Sequence, residues 1–252
     1  MRRSVLRAFG LLVFLAVSGC ATTDPAEERR MKQLADTNTE LAVQYLQRGQ
    51  VSIALGRVER ALEVEPEHSQ ANNVMGLIQW RLGKLDEADR YFQRSVDANP
   101  NNSEAHNNYG VFLCAQGKVD DAVKQFELAL ENRLYTARAE AEVNAGRCLE
   151  KKGNAARAEK HFRNALAINP KYPDALYETA KLSFTTGQIR SAQGFLQRYF
   201  QAGKPTADAL LLAVRVEGAL GNKSQRDKFA AELRKTFPNS PQARALATIG
   251  KR

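Results

Sequence analysis

Glycine recurs along this chain at intervals of 34 residues, with one longer interval of 36. The six positions are Gly49, Gly83, Gly117, Gly153, Gly187 and Gly221. Each glycine separates two stretches rich in alanine and leucine, and glycine suits the left-handed conformation in which many helices end. The spacing therefore predicts six hairpins of two helices each, joined by tight turns, in an all-α chain.

Prolines set the register of the repeat. With Pro66, Pro100, Pro170 and Pro238 as position 32, the units span residues 35–68, 69–102, 103–138, 139–172, 173–206 and 207–240. Position 8 is glycine in three units, at Gly76, Gly110 and Gly146. Position 24 is apolar in five units, at Val58, Phe92, Phe126, Phe162 and Leu196. Glycine at position 8 predicts that the two helices of a hairpin approach each other closely at that position.

This arrangement resembles the tetratricopeptide (TPR) repeat, a helix-turn-helix unit of ~34 residues. The resemblance implies a right-handed α-solenoid in which the first helix of each hairpin, helix A, lines a concave face and helix B lies outside it. The third unit lacks the closing proline and is extended at Leu134 and Tyr135. The sixth unit carries Arg226 where a small residue is expected, which predicts that it caps the array.

The first twenty residues have the composition of a secretion leader. Arg2, Arg3 and Arg7 precede an apolar run over residues 8–17, which is too short for the ~20 residues of a membrane-spanning helix. The next segment, Val-Ser-Gly-Cys at residues 17–20, is similar to the bacterial lipobox, whose cysteine is acylated after cleavage. The resemblance implies a signal peptide over residues 1–19 and a lipid anchor on Cys20.

The residues after Cys20 bear on localisation. Ala21 stands where lipoproteins retained at the inner membrane carry aspartate, so the resemblance implies the periplasmic face of the outer membrane. Residues 20–34 are predicted to be a flexible tether with a root-mean-square reach of roughly 20 Å, and residues 241–252 a C-terminal tail. A soluble periplasmic chaperone is the alternative, and it requires that Cys20 stay unacylated.

Charge and chemistry argue against several classes of function. The formal net charge is +9, but basic residues are interspersed with acidic ones and form no run that would follow a phosphate backbone, which argues against nucleic-acid binding. His68, His106 and His161 lie in three different units, without neighbours at metal-ligand or catalytic spacing. We therefore expect no enzyme, cofactor, metal or small-molecule substrate.

The leader and six units in about 250 residues resemble the type IV pilus biogenesis and stability lipoproteins, the PilF/PilW family. Further matching segments are Asn107-Asn108-Tyr109-Gly110 with Phe112-Leu113, the Leu134-Tyr135 extension, Leu210-Leu211-Leu212 and Phe237-Pro238-Asn239-Ser240. The resemblance implies a pilotin, which binds the pilus secretin and assists its assembly in the outer membrane. Another outer-membrane TPR lipoprotein, serving β-barrel assembly or peptidoglycan enzymes, would share the same anchor and scaffold.

A partner-binding groove is predicted on helix A of the second to fourth units, at positions that face inward in TPR arrays. Its residues are Asn73, Leu77, Trp80, Arg81, Asn107, Asn108, Val111, Asn144, Arg147 and Lys151. Asparagine can donate to and accept from a peptide backbone at once, whereas Arg and Lys bind carboxylates. Alternatives stay open: Asn107 and Asn108 contact a partner or satisfy local backbone groups, and Trp80 contacts a partner or packs in the core.

The other two cysteines lie one repeat apart. Cys114 and Cys148 are on helix A of the third and fourth units, and the two-residue extension places them at positions 12 and 10. In the oxidising periplasm they can form a disulfide if their Cα atoms lie within ~4.4 to 6.8 Å. Otherwise they act as two small buried core residues.

Replacing Cys20 with Ala should release a folded protein from the outer membrane, because the acyl chains on this residue supply the hydrocarbon that holds the chain there. Sedimentation with outer-membrane fractions measures the effect. Ser18→Ala, which keeps a small residue before the cysteine, is the control and should sediment as the wild type does. Unchanged sedimentation of the Cys20→Ala protein would contradict the anchor.

Overall fold

A computed structural model describes residues 24–249, and this part of the chain is built from thirteen helices without strands. The A helices are α1 (Pro25–Gln47), α3 (Ser69–Arg81), α5 (Ser103–Ala115), α7 (Arg138–Lys151), α9 (Pro173–Thr185) and α11 (Ala207–Ala219). The B helices are α2 (Val51–Val64), α4 (Leu85–Ala98), α6 (Val119–Glu131), α8 (Ala155–Ile168), α10 (Ile189–Ala202) and α12 (Lys223–Thr236), and α13 (Pro241–Ile249) follows them. The predicted all-α fold with six hairpins is confirmed.

The hairpins stack into a continuous array. Each helix A packs against its own helix B and against the A helices of the neighbouring units. Among the described helices, no two B helices contact each other. The A helices therefore lie together on the inner, concave side of the array, and the B helices are spread over its outer, convex side.

The six recurrent glycines end the A helices. Each has a φ between 74° and 80°, a left-handed conformation that glycine adopts without a steric penalty. At the second turn, the N–H of Gly83 donates to the carbonyl of Trp80 and the N–H of Lys84 to that of Gln79, both at 2.9 Å. These bonds satisfy carbonyls that the end of α3 would otherwise leave unpaired. The turns predicted from the glycine spacing are confirmed.

One contact inside each hairpin sets the distance between its two helices. A Cβ atom built on Gly76 would lie 2.9 Å from the Phe92 ring, and one on Gly110 would lie 2.7 Å from the Phe126 ring. Both distances are shorter than side chains tolerate, so glycine is required for this approach. Gly146 meets Phe162 in the same way.

In the other three hairpins, the space between the two helices is filled by side chains of different sizes. Their residues at positions 8 and 24 are Ala42 with Val58, Ala180 with Leu196, and Val214 with Ala230, and each pair lies in one buried cluster. As the side chain on helix A becomes larger, the one on helix B becomes smaller. Each hairpin is thus filled by a complementary pair, which is how close-packed cores avoid both voids and overlap.

The segment before the first unit differs from the prediction. Residues 25–34, expected to belong to a flexible tether over residues 20–34, are the first ten residues of α1. The Oδ1 of Asp24 accepts a hydrogen bond from the N–H of Ala26 at 2.9 Å, and Pro25 occupies the first helical position. Both features favour a helix start. At ~1.5 Å per residue this extension is a rod of about 15 Å.

The C-terminal segment also differs. The tail predicted over residues 241–252 is, in its described part, the helix α13. Leu246 is buried in a cluster with apolar residues of α11 and α12, and the Gln242 side chain donates to Asp208 at 2.7 Å. Because α13 packs where the helix A of a further unit would lie, it covers the apolar end of the array. The cap expected in the sixth unit is therefore provided by α13.

Gly110→Ala should lower the free energy of unfolding by about 1 to 3 kcal/mol, because its Cβ would press on the Phe126 ring. Combining it with Phe126→Leu recreates the alanine–leucine pair of the fifth unit. The double variant should therefore lose less stability than the sum of the two single losses, as measured by denaturant unfolding.

The control for this test is Gly194→Ala in α10, where a Cβ would meet no atom within 4 Å. It should gain roughly 0.5 to 1 kcal/mol, because alanine favours the helix over glycine. Additive losses in the double variant would contradict the pairing of positions 8 and 24.

Candidate functional site

The ten predicted groove residues all lie on α3, α5 and α7, the A helices of the second to fourth units. Arg81 and Lys151 are exposed, whereas Asn73 and Asn107 are buried, and the other six are half-buried. The structure therefore brings the ten residues together on the concave side, but it removes two of the asparagines from direct contact with a partner.

The asparagines connect neighbouring A helices. The Nδ2 of Asn108 donates to the Oδ1 of Asn73 at 3.2 Å, and the Nδ2 of Asn144 donates to the Oδ1 of Asn107 at the same distance. The predicted groove role is thus replaced, for Asn73 and Asn107, by amide bonds between successive units. Neither alternative drawn from the sequence anticipated this, because the partner of each amide lies in a different repeat.

A half-buried apolar strip lies beyond the asparagine pairs along the A helices. Leu77 and Trp80 on α3 and Val111 on α5 pack against the core cluster of the second and third units. Trp80 meets Phe112 edge to face, with ring centroids 5.5 Å apart. The structure supports the packing interpretation of Trp80, since the ring lies against the core, and its contact with a partner stays a prediction. This strip can bind apolar side chains of a partner.

Charged residues continue the groove into the fourth and fifth units. The Nε of Arg147 donates to Glu178 at 2.7 Å, and its Nη2 donates to Asp174 at 2.9 Å. Lys181 contacts the same Glu178 and also reaches Glu150 at 3.1 Å. The carboxylate of Glu178 is thus buried between two cations, one from each unit.

This network keeps both cations charged. Burial lowers the pKa of Arg147, but the hydrogen bonds and charges of Glu178 and then of Asp174 offset it, so the pKa is raised. The same balance raises the pKa of Lys181, where Glu178 and then Glu150 oppose the effect of burial. Burying Glu178 is tolerated because it is paired on both sides.

The residues of the fifth unit were missed from the sequence. Asp174, Glu178 and Lys181 occupy positions 2, 6 and 9 of that unit, which are among the inward-facing positions used for the second to fourth units. Applying the inward-facing positions of the second to fourth units to the fifth unit as well would have identified all three. Lys151, in contrast, has no ion-pair partner within residues 24–249 and remains available to a partner molecule.

Cys114 and Cys148 form a disulfide, with their Cα atoms 5.8 Å apart. Cys148 is buried and Cys114 is half-buried, so the bridge lies at the groove surface between α5 and α7. It lies one turn along α5 from Val111 and next to Arg147 on α7. The bond therefore fixes the spacing of the two A helices at the point where the apolar strip meets the charged network.

The three histidines have structural partners inside the array. His68 caps α3, since its Nδ1 accepts from the N–H of Ala71, and its Nε2 contacts Asp36 at 2.8 Å. His161 contacts the buried Glu142 at 2.6 Å. His106 lies between the Gln125 side chain and the Pro100 carbonyl. Within residues 24–249, no three His, Cys, Asp or Glu side chains converge as metal ligands would.

The predicted anchor Cys20 lies outside the described residues. None of the helices between residues 24 and 249 is both long and apolar enough to cross a bilayer.

Comparison with known proteins identifies the repeat. One tetratricopeptide repeat profile matches residues 39–103, 73–142 and 115–173, and a second matches residues 149–213. The chain belongs to the tetratricopeptide repeat family. Its concave face is therefore the surface that TPR arrays use to bind other proteins.

Individual proteins are similar to this chain over nearly its whole length. The type IV pilus assembly protein PilF of Pseudomonas aeruginosa is 24% identical over 241 residues, which cover 94% of this chain and 96% of PilF. A solved structure of Pseudomonas aeruginosa PilF has a TM-score of 0.78 at 23% identity, covering 87% of this chain and 99% of PilF.

A second solved structure, that of PilW, a widely conserved type IV pilus biogenesis factor, has the same TM-score of 0.78. It is 29% identical and covers 85% of this chain and 99% of PilW. These similarities support a type IV pilus biogenesis protein built from TPR units, as the sequence resemblance predicted.

The mature protein should contain no free thiol at Cys114 or Cys148. Alkylation of the denatured, unreduced protein should add no label to either residue, and prior reduction should allow both to be labelled, as mass spectrometry can determine. Two labels without reduction would contradict the bridge. Replacing both cysteines with Ala should lower the unfolding free energy by about 3 to 4 kcal/mol on the chain-entropy estimate.

Proposed function

We propose that this protein is a lipid-anchored TPR scaffold at the periplasmic face of the outer membrane, which binds the type IV pilus secretin and assists its assembly into multimers. The observation that carries the proposal is the similarity to the pilus assembly protein PilF over 94% of this chain. Because that similarity spans all six units, the whole array is the functional element.

The concave face of the second to fifth units is the surface we assign to the secretin. It offers the apolar strip of Leu77, Trp80 and Val111, and two exposed cations, Arg81 and Lys151. Apolar side chains of a partner can pack on the strip, while Arg and Lys donate to its carboxylates or carbonyls.

The groove is held in shape before a partner arrives. Asn73 with Asn108, Asn107 with Asn144, and the cysteine bridge each join one A helix to the next. A surface that is already ordered loses less conformational entropy on binding than a mobile one does. We therefore expect the protein to act as a rigid template, by binding alone and without a chemical step.

The anchor proposed for Cys20 places this template near the membrane. Since α1 begins at Pro25, only a few residues separate the acylated cysteine from a rigid helix. The rod of about 15 Å formed by residues 25–34 would set the distance of the first unit from the bilayer. A secretin subunit would then meet the groove close to the membrane into which it is inserted.

The test is complementation of a strain that lacks the gene, followed by blotting for heat-resistant secretin multimers. Arg81→Glu combined with Lys151→Glu turns two exposed groove cations into anions. We expect this variant to bind the secretin about tenfold more weakly, equivalent to ~1.4 kcal/mol, and to give fewer multimers.

The matched control is Arg90→Glu combined with Lys124→Glu, which makes the same change of charge on the B helices α4 and α6. Both residues are exposed, and the variant should assemble multimers as the wild type does. Circular dichroism confirms that both variants remain folded. Full multimer yield from the groove variant, or from the strain without the gene, would overturn the proposal.

A further inference from the structure

The convex side of the array is divided into an acidic half and a basic half. The B helices of the first three units, α2, α4 and α6, carry ten Asp and Glu residues against five Lys and Arg. Those of the last three units, α8, α10 and α12, carry three Asp and Glu residues against ten Lys and Arg. Charges that appear mixed along the sequence are thus separated in space.

The basic half is exposed. The ten cations are Arg157, Lys160, Arg163, Arg190, Arg198, Lys223, Arg226, Lys228, Arg234 and Lys235, and all except the half-buried Arg226 are exposed. Three of the ten, Arg157, Arg163 and Arg226, form ion pairs. The other seven, which include Lys160, Arg190 and Lys228 from the three helices, have no ion-pair partner among residues 24–249. Most of this charge is therefore not neutralised by the protein itself.

Charge outweighs apolar area on this surface. On α8, α10 and α12 the one large apolar side chain that is exposed is Ile168, at the end of α8, while Phe195, Phe200 and Phe229 are half-buried against core clusters. Tight protein interfaces are instead centred on buried aromatic or aliphatic anchors. Flexible cations spread over the B helices of three successive units suit a partner whose negative charge is spread over a broad surface.

We propose that the convex face of α8, α10 and α12, here called the basic face, binds the anionic phospholipid headgroups of the membrane. The charges are complementary, and the acidic B helices of the first three units would be repelled from the same surface. The inference adds to the proposed function and rests on it for the location of the protein at a membrane.

This contact orients the molecule. The acyl chains at Cys20 hold its N-terminal end, and the basic face holds the last three units. Since the A helices lie on the opposite side of the array from the B helices, the groove of those units then faces away from the bilayer. The part of the secretin-binding surface on the fourth and fifth units is thereby presented to the periplasm.

Vesicle co-sedimentation tests the proposal, using the mature chain, residues 20–252, with Cys20→Ala, so that no acyl chain contributes. The probes are vesicles of phosphatidylcholine alone and vesicles containing 30 mol% phosphatidylglycerol. We expect binding to the anionic vesicles at low salt, loss of that binding in 0.5 M salt because the charges are screened, and no binding to neutral vesicles.

A matched pair of variants locates the site. Lys160→Glu with Lys228→Glu should weaken binding to anionic vesicles about tenfold or more, because each cation near an anionic surface contributes to the attraction. Arg90→Glu with Lys124→Glu changes the same repeat position, position 22, in the second and third units and should weaken binding far less.

Absence of binding to anionic vesicles, or equal loss in both variants, would overturn the proposal. Binding to neutral vesicles as strong as binding to anionic vesicles would also overturn the proposal. The assay contains neither a secretin nor an acylated cysteine, so such a failure would be distinct from failure of the groove or of the anchor. Secretin binding by the Lys160→Glu/Lys228→Glu variant in detergent should equal that of the wild type.

Discussion

The contact between glycine on helix A and phenylalanine on helix B underlies the rest of the array. At Gly76 and Gly110 the absence of a side chain lets an aromatic ring lie directly against the partner helix. This contact fixes the distance between the two helices of a hairpin, and the hairpin then has one shape that its neighbours can pack against. Because each unit touches only adjacent units, the regularity of the array is the sum of these local fits.

The groove is held together by interactions that cross from one unit to the next. Arg147 reaches Asp174 and Glu178 in the following unit, and the Cys114–Cys148 bridge joins the third unit to the fourth. A single neutral hydrogen bond contributes only about 0.5 to 1.5 kcal/mol, and one to a charged group ~1.5 to 3 kcal/mol. The Arg147 contacts join α7 to α9, while the bridge and the Asn107–Asn144 bond join α5 to α7. Together they restrict sliding of the A helices more than packing alone would.

The periodic part of the fold could be read from the sequence, whereas the exceptions could not. Recurrent glycines and prolines encode local geometry, so the turns and hairpins were predictable. The helix over residues 25–34 did not follow from the repeat, because it precedes the first unit, and only Asp24 and Pro25 mark its start. Asn107 was assigned to the groove, but it is buried, since its bond to Asn144 depends on a neighbour 37 residues away.

The complementary sizes at positions 8 and 24 also decide which hairpins are interchangeable. The second, third and fourth units share the same glycine–phenylalanine pair, so a helix B from one would fit a helix A from another. Val214 of the sixth unit could not accept a phenylalanine, and Gly110 placed against Leu196 would leave a void. Mispairing between the central and terminal units during folding is therefore disfavoured, whereas gene duplication could lengthen the array from its centre and leave both ends intact.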